Sequence, residues 1–432
     1  MRTIYACILA IALLLLFSCR ISYAVMIVHE GLPNKEGVKP DPLSPTLSNP
    51  NLPNRKGVKI DPAIVHAAFK TEGQFDTNVF LENENEKFDY LTILTPEAGL
   101  ELSFGDNKFS VDSETEINLF SIHKDHSYVD ERLRGVLEIN WTDYKIFITD
   151  VYKYFSDRSG SEDVRRVKRQ NNFFRVGGAA LFEQLEFDVG YTFGVEDYLC
   201  SDVIFFGSGG RTITYQDKDR FLNIFGANIS YRFLPKTSLL IESYLGFIDY
   251  HTNKCSDSWF TETLLGLQGD LRENFTSSLS VGFRYQKYDE SEMTDSNDFV
   301  GPVVRGGLTY SATKDDKFDL LLERGVFEST FNNMNYYIIN HAGLRYTHFF
   351  SRKLSLGSFG YYQLNLYPSD ATINDVIKAR RDHLYGAGAV LRYDIKEWIS
   401  CELNYEHRNR RSTFGTFNYN DDLVTISATV GF

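Results

Sequence analysis

The sequence predicts an all-β protein: a single closed antiparallel transmembrane β-barrel of about 18 strands, within roughly 16 to 20, with short periplasmic turns and longer outer loops. Three observations carry this reading. An export signal opens the chain, segments of alternating polarity fill it, and an alternating segment with a terminal aromatic ends it. Composition agrees. Of 432 residues 15% are aromatic, with Phe 34 and Tyr 26 against Trp 3 and Met 4, and Phe and Tyr favour strands. That aromatic load excludes disorder for the bulk of the chain. The net charge of -13 argues against nucleic acid as a partner, because such binding neutralises phosphates with Lys and Arg. A mildly hydrophilic average excludes a many-helix membrane bundle but not a barrel, whose strands alternate apolar and polar residues.

Met1-Arg2 supplies a short basic start, Ile4 to Phe17 an apolar run, and Ser22-Tyr23-Ala24 small residues at the spacing a signal peptidase reads. Residues 1–24 are therefore expected to be a cleaved signal peptide; the run is shorter than the about 20 apolar residues of a membrane helix. A competing reading is lipidation at Cys19, since Leu16-Phe17-Ser18-Cys19 resembles a lipobox, in which Phe17 fits poorly. Residues 25–60 read as a flexible periplasmic lead-in, rich in Pro, Asn and Lys, in which the segment Leu32 to Pro42 returns as Leu52 to Pro62. Two copies are too few for a solenoid. Residues 61–432 are assigned to the barrel.

From about Ala63 the chain alternates in segments of roughly 10 to 16 residues, the length of a tilted spanning strand with overhangs. Short connections occur at Gly105-Asp106-Asn107, Thr142-Asp143, Glu183-Gln184, Pro235-Lys236, Arg272-Glu273-Asn274, Lys314-Asp315-Asp316, Ser351-Arg352 and Lys396-Glu397. Longer polar ones are expected at 82–87, 123–127, 156–168, 201–218, 251–258, 289–297, 329–333, 367–379 and 409–419. With both ends of the barrel in the periplasm the parity closes at about 18 strands.

Side-chain parity separates two faces. Val129, Leu133, Leu137, Ile139 and Trp141 share one, while Asp130, Arg132, Arg134, Glu138 and Asn140 share the other. Assigned in this way, the candidate lumen charges are Asp112, Glu114, Glu116, Glu138, Glu242, Glu402 and Glu406 against Arg132, Arg134, Arg232, Arg284, Arg345 and Arg408. Facing rows of both signs set the transverse field of a pore; the alternative is that they pair and fill the lumen. Tyr231, Phe233, Phe349, Phe350, Tyr393 and Trp398 gather at segment ends as an interfacial girdle requires. The segment Leu423 to Phe432 alternates and stops at an aromatic, so Phe432 resembles the signal by which the barrel assembly machinery takes up its clients. Cys200 and Cys255 fall on two successive outer loops, in a compartment where disulfides persist, and form a candidate disulfide. Cys401 falls on the lipid face.

The stretch Val58 to Val65, followed by Gln74-Phe75-Asp76-Thr77-Asn78-Val79-Phe80 and by Asp89 to Leu100 with Pro96 in it, resembles the opening hairpin of an outer-membrane beta-barrel (porin-like) family. An Asp-x-Asn-Val/Ile-Phe loop and a strand ending in Pro-x-x-x-Leu mark that family; Phe75 stands where a Tyr is common. The resemblance implies an envelope barrel, often associated with exopolysaccharide production systems, and carries no catalytic residues.

Chemistry is otherwise sparse. The nine His residues are scattered, with no Gly-x-Ser-x-Gly and no His-Glu-x-x-His, so no enzyme and no cofactor are expected. His123-x-x-His126 with Asp125 and Asp130 nearby reads as a solvated loop, so no metal is expected either. The acidic loop from Asp289 to Glu292 reads as a solvated charge run. The expectation is a barrel in the outer membrane of a Gram-negative-type bacterium, porin-like or accessory to extracellular polysaccharide export. Its partners would be outer-membrane lipid, the assembly machinery and polysaccharide export components. The alternatives are a non-conducting structural or surface-binding barrel and a soluble secreted β-protein.

Overall fold

A computed structural model describes residues 57–158, 162, 165–206, 212–252, 256–289, 298–331, 334–373 and 376–431. The chain forms β1 (Val58–Ile60), β2 (Ala63–Asp76), β3 (Asp89–Phe104), β4 (Asn107–Phe120), β5 (Tyr128–Asn140), β6 (Tyr144–Arg158) and β7 (Arg166–Leu181). These are followed by β8 (Leu185–Tyr198), β9 (Val203–Phe206), β10 (Thr212–Thr214), β11 (Arg220–Leu234), β12 (Thr237–Tyr250), β13 (Ser258–Arg272) and β14 (Phe275–Tyr288). The last seven are β15 (Phe299–Ser311), β16 (Asp316–Glu328), β17 (Tyr336–Phe349), β18 (Leu354–Ile373), β19 (Val376–Lys396), β20 (Ile399–Ser412) and β21 (Tyr419–Gly431). Among the described residues the only helical pieces are short 3-10 turns such as Lys124–His126 and Tyr215–Lys218.

Each long strand pairs antiparallel with its neighbours, β8 pairs β11 across the small β9–β10 hairpin, and β2 pairs β21, so 18 strands close on themselves. Short turns lie at the end where β2 begins and longer connections at the other. A tight turn needs a residue tolerant of the left-handed region, and Gly105 supplies it with φ of 66° between β3 and β4.

Burial identifies the environment of each face. A soluble sandwich hides its apolar side chains; here Ile426 (64% exposed), Val189 (60%) and Phe283 (52%) lie open on the outward face. The largest fully buried side chains include Arg169, Arg220, Arg284, Arg380 and Arg410. An inverted distribution of this kind fits a wall with lipid outside and polar groups inside. At the short-turn end Trp141, Tyr144, Tyr231, Phe233, Phe350, Tyr393 and Trp398 are exposed in a ring, where apolar rings with a polar handle suit the headgroup level.

Two departures from the sequence reading concern strand ends. The connection expected at 367–379 is mostly strand: β18 and β19 run to 20 and 21 residues, and Asp370↔Ala379 through Ile373↔Val376 stay paired. Tyr367-Pro368-Ser369-Asp370 carries turn chemistry, but the β-branched Thr372, Ile373, Val376 and Ile377 extend the hairpin. Pro368 sits inside the register break between Leu366 and Asp370, one of the few places a sheet accommodates a residue without N–H. At the other end strand pairing begins at Val58, within the segment read as lead-in. β21 reaches β2 only from Ala68 to Asp76, and β1 pairs Ala63, Ile64 and Val65 below it. β1 thus covers the stretch of β2 edge that closure leaves open, which blunts an edge prone to wrong pairing.

The signal peptide, Cys19 and the duplicated segment as far as Lys56 lie outside the described residues, as do Cys255 and Phe432.

Candidate functional site: the lumen wall and its outer constriction

Antiparallel register carries the inward parity from strand to strand. On β4 and β5 Asp112 stands opposite Arg134, Glu114 opposite Arg132 and Glu116 opposite Asp130. Glu138 reaches Lys145 at 3.4 Å. Glu242 stands opposite Asn228 and Leu264, Arg345 opposite Asp319, and Arg232 is exposed beside the turn at Pro235. On β20 Glu402 bridges Arg392 at 2.7 Å, Glu406 accepts the Tyr361 hydroxyl at 3.2 Å, and Arg408 Nε donates to Asp421 at 3.1 Å. Arg284 is wholly buried over the Phe260 ring, 3.7 Å from its centroid. The structure brings Asp112, Glu114, Arg132 and Arg134 together in one recess and distributes the others around the wall.

The outer mouth is built differently. Outer connections fold inward and are tied down by buried hydrogen bonds. The Glu162 carboxylate accepts from Thr330 N–H at 2.7 Å and from the Ser329 and Thr330 hydroxyls. Its backbone carbonyl accepts from Arg380 at 2.7 Å and Arg410 at 2.8 Å. Asp382 lies between the same two guanidiniums, at 2.8 Å and 2.6 Å. Arg380 is also stacked against Phe417, Phe331 and Tyr367, at 3.9, 4.2 and 4.6 Å. Met334 and Phe331 fill the space beside them in one apolar cluster with Tyr337, Tyr367 and Phe414.

A second network adjoins the first. Glu328 accepts from Tyr250 at 3.0 Å, Tyr288 at 3.0 Å and Gln286 at 2.8 Å. Gln286 accepts from Arg284, which faces Glu262, and Arg305 pairs with Glu262 as well. Arg220 pairs with Glu196. From the connection before β11, Lys218 reaches the Met334 carbonyl at 3.4 Å. Burial lowers the pKa of this lysine, while Glu162, Glu328 and Asp217 pull in the opposite direction.

Of these groups sequence parity places Arg284 and Gln286 on the polar face, and only Arg284 is among the candidate lumen charges. Arg380-x-Asp382 and Arg408-x-Arg410 have the spacing of two on one strand face, a signal that was available; Arg380 and Asp382 follow directly on the stretch taken for a loop. Glu162, Ser329 and Thr330 carry no local signal, because their partners lie far along the chain.

Cys200 is half-buried against the Val167, Tyr198 and Tyr215 cluster, and its proposed partner lies outside the described residues. The histidine pair serves a loop: His123 Nδ1 meets Asp89 Oδ2 at 2.8 Å, and the buried Asp89 also takes the N–H groups of Ser121, Ile122 and His123. At the outer rim Asp197, Asp219 and His251 bring ligand-type atoms within 4.8 Å of one another.

A family described as Putative beta-barrel porin 2 matches residues 54–432. No curated protein matches the chain. Among solved structures it is similar to the outer membrane protein opdK from Pseudomonas aeruginosa, at 11% identity and TM-score 0.46 over 85% of this chain and 99% of that one. A BenF-like porin from Pseudomonas fluorescens Pf-5 is similar at 13% identity and TM-score 0.48, over 85% and 99%. OccAB3 from Acinetobacter baumannii follows at 12% and 0.46, over 86% and 100%.

Proposed function

The chain belongs to the Putative beta-barrel porin 2 family, and from that premise we propose that it forms a narrow outer-membrane pore for small polar solutes. The observation that carries this reading is the contrast along the lumen. At mid-height, charged side chains such as Asp112, Arg132 and Arg134 are exposed, on the parity read as lumen-facing. At the outer mouth, Arg220, Arg284, Arg380 and Arg410 are no more than 1% exposed. A wall of exposed charges of both signs orients polar solutes, and a mouth built from packed loops limits their size. The charges on β4, β5 and β20 would tune what passes. The same constriction argues against threading an extended polysaccharide, so an accessory role in its export is the weaker form of the proposal.

The buried mouth also favours a second reading, a non-conducting barrel filled by its own side chains. Planar bilayers separate the two. Folded protein, certified by heat-modifiable migration on a denaturing gel, should give small stable conductance steps. Persistent silence of such protein would defeat the pore reading and leave the structural barrel.

A further inference from the structure

At mid-height of the lumen wall a recess of about 280 Å³ opens between β2, β3, β4 and β5, lined by His66, Glu97, Asp112, Glu114, Arg132 and Arg134. Register makes two columns of it. Glu97 stands opposite Glu114, with Asp112 one step along the same face. Arg132 stands opposite Glu114 and Arg134 opposite Asp112. A directly opposed pair has its Cβ atoms about 5 Å apart, close enough for each carboxylate to bridge its arginine. Yet among the described residues no ion pair joins Asp112 or Glu114 to Arg132 or Arg134. Gly99 keeps the floor open: a Cβ there would come 2.8 Å from Asp112 Oδ1.

From this geometry we propose that the recess is a binding subsite for small dipolar solutes, whose ammonium group enters the carboxylate column and whose carboxylate meets the arginines. The inference rests on the pore reading of the lumen and names a solute class for it. Guanidinium matches a carboxylate through parallel N–H donors, while Asp112 and Glu114 offer only acceptors. An exposed pair between the two columns would contribute only about 0–1 kcal/mol, so a ligand that engages both columns at once gains contacts the empty wall lacks. The volume lies at the lower end of small-molecule pockets, about 300 Å³ and upward, and suits a solute of amino-acid size.

The test uses the full chain in detergent micelles, titrated by calorimetry with L-alanine, acetate and ethylammonium at pH 7, with bilayer currents recorded alongside. L-alanine should bind at least about tenfold more tightly than either single-charge probe, a gap of about 1.4 kcal/mol. Arg134→Gln should weaken L-alanine about tenfold and not weaken ethylammonium; Asp112→Asn should weaken L-alanine and not weaken acetate. Equal affinity for the three probes, or variants that bind L-alanine as the parent does, overturns the subsite. A conducting channel without zwitterion preference overturns the subsite alone. A silent channel that retains the preference upholds the subsite and overturns the pore.

Discussion

Asp382→Asn isolates what holds the mouth closed. The carboxylate is fully buried and lies between Arg380 and Arg410, themselves 0% and 1% exposed. It takes Arg380 Nε at 3.0 Å and Nη2 at 2.8 Å, and Arg410 Nη2 at 2.6 Å. The amide keeps one acceptor but loses the charge and points an N–H₂ toward guanidinium donors. Two buried cations are then left sharing only neutral acceptors, the amide oxygen and the Glu162 carbonyl. Removing one partner of a buried ion pair costs about 3–5 kcal/mol, chiefly because the surviving charge is stranded. Replacing the whole set with apolar residues costs far less, so Arg380→Met, Asp382→Leu and Arg410→Met combined should be milder than Asp382→Asn alone. Urea unfolding in detergent, followed by tryptophan fluorescence, reads the first quantity. Bilayer reversal potentials under a KCl gradient read a second, since one lost negative charge should shift selectivity toward anions. A stability change under about 1 kcal/mol with unchanged selectivity would refute the assignment of this triad as the closing element.

Other perturbations test the wall and the rim. Gly306→Ala should cost about 1–3 kcal/mol or prevent assembly, because Gly306 has φ of +117° and an added Cβ would collide with the Ser278 backbone carbonyl. Gly73→Ala, with nothing within 4 Å of its Cβ position, should migrate on a heat-modifiability gel as the parent does. The Asp219 carboxyl, outside the strands, is pushed up to about 7 by burial, with Asp197 and Asp217 adding repulsion. Folded Asp219 therefore keeps a proton that the unfolded chain releases near about pH 4. Its contribution to stability is full below that pH and lost as the pH rises through about 7. Unfolding should therefore need more urea at pH 5 than at pH 8, and Asp219→Asn should narrow the difference. Cys200 and Cys255, if bridged, should resist alkylation in denaturant until reductant is added; reaction of both without reductant would rule the bridge out.

The barrel was legible because each strand repeats one simple fact. A spanning strand has a lipid face and a water face, so Val129, Leu133 and Leu137 must alternate with Asp130, Arg132 and Arg134 whatever the rest of the chain does. Turn chemistry marked the short connections for a similar local reason, as at Gly105. Local reasoning failed where two local signals compete. Around Tyr367-Pro368-Ser369-Asp370 the turn residues outweighed the β-branched run that follows, although a proline at a register break is compatible with strand. The short β1 was invisible for another reason. Its value is set by how far β21 climbs along β2, and a stagger between the two ends of the chain has no local trace.

The lumen divides along the same line. Parity proposes mid-height candidates such as Asp112 and Arg134 because facing water is a property of one position at a time. The mouth was unreadable because burial of a charge is decided by partners: Glu162 meets Ser329 across 167 residues and Arg410 across 248. The two regions use the same residue types with opposite physics. Arg134 and Asp112 stand in an exposed wall where a pair between them would contribute little, which leaves them free to exchange partners with a passing solute. Arg380 and Asp382 are sealed from water, where losing a partner is costly, and this makes them suited to holding a constriction in place. On the pore reading proposed above, a solute would therefore meet a packed size filter first and an exchangeable charge pattern second. Substitutions at the mouth should alter how large a molecule enters, whereas substitutions on β4 and β5 should alter which charge pattern is favoured.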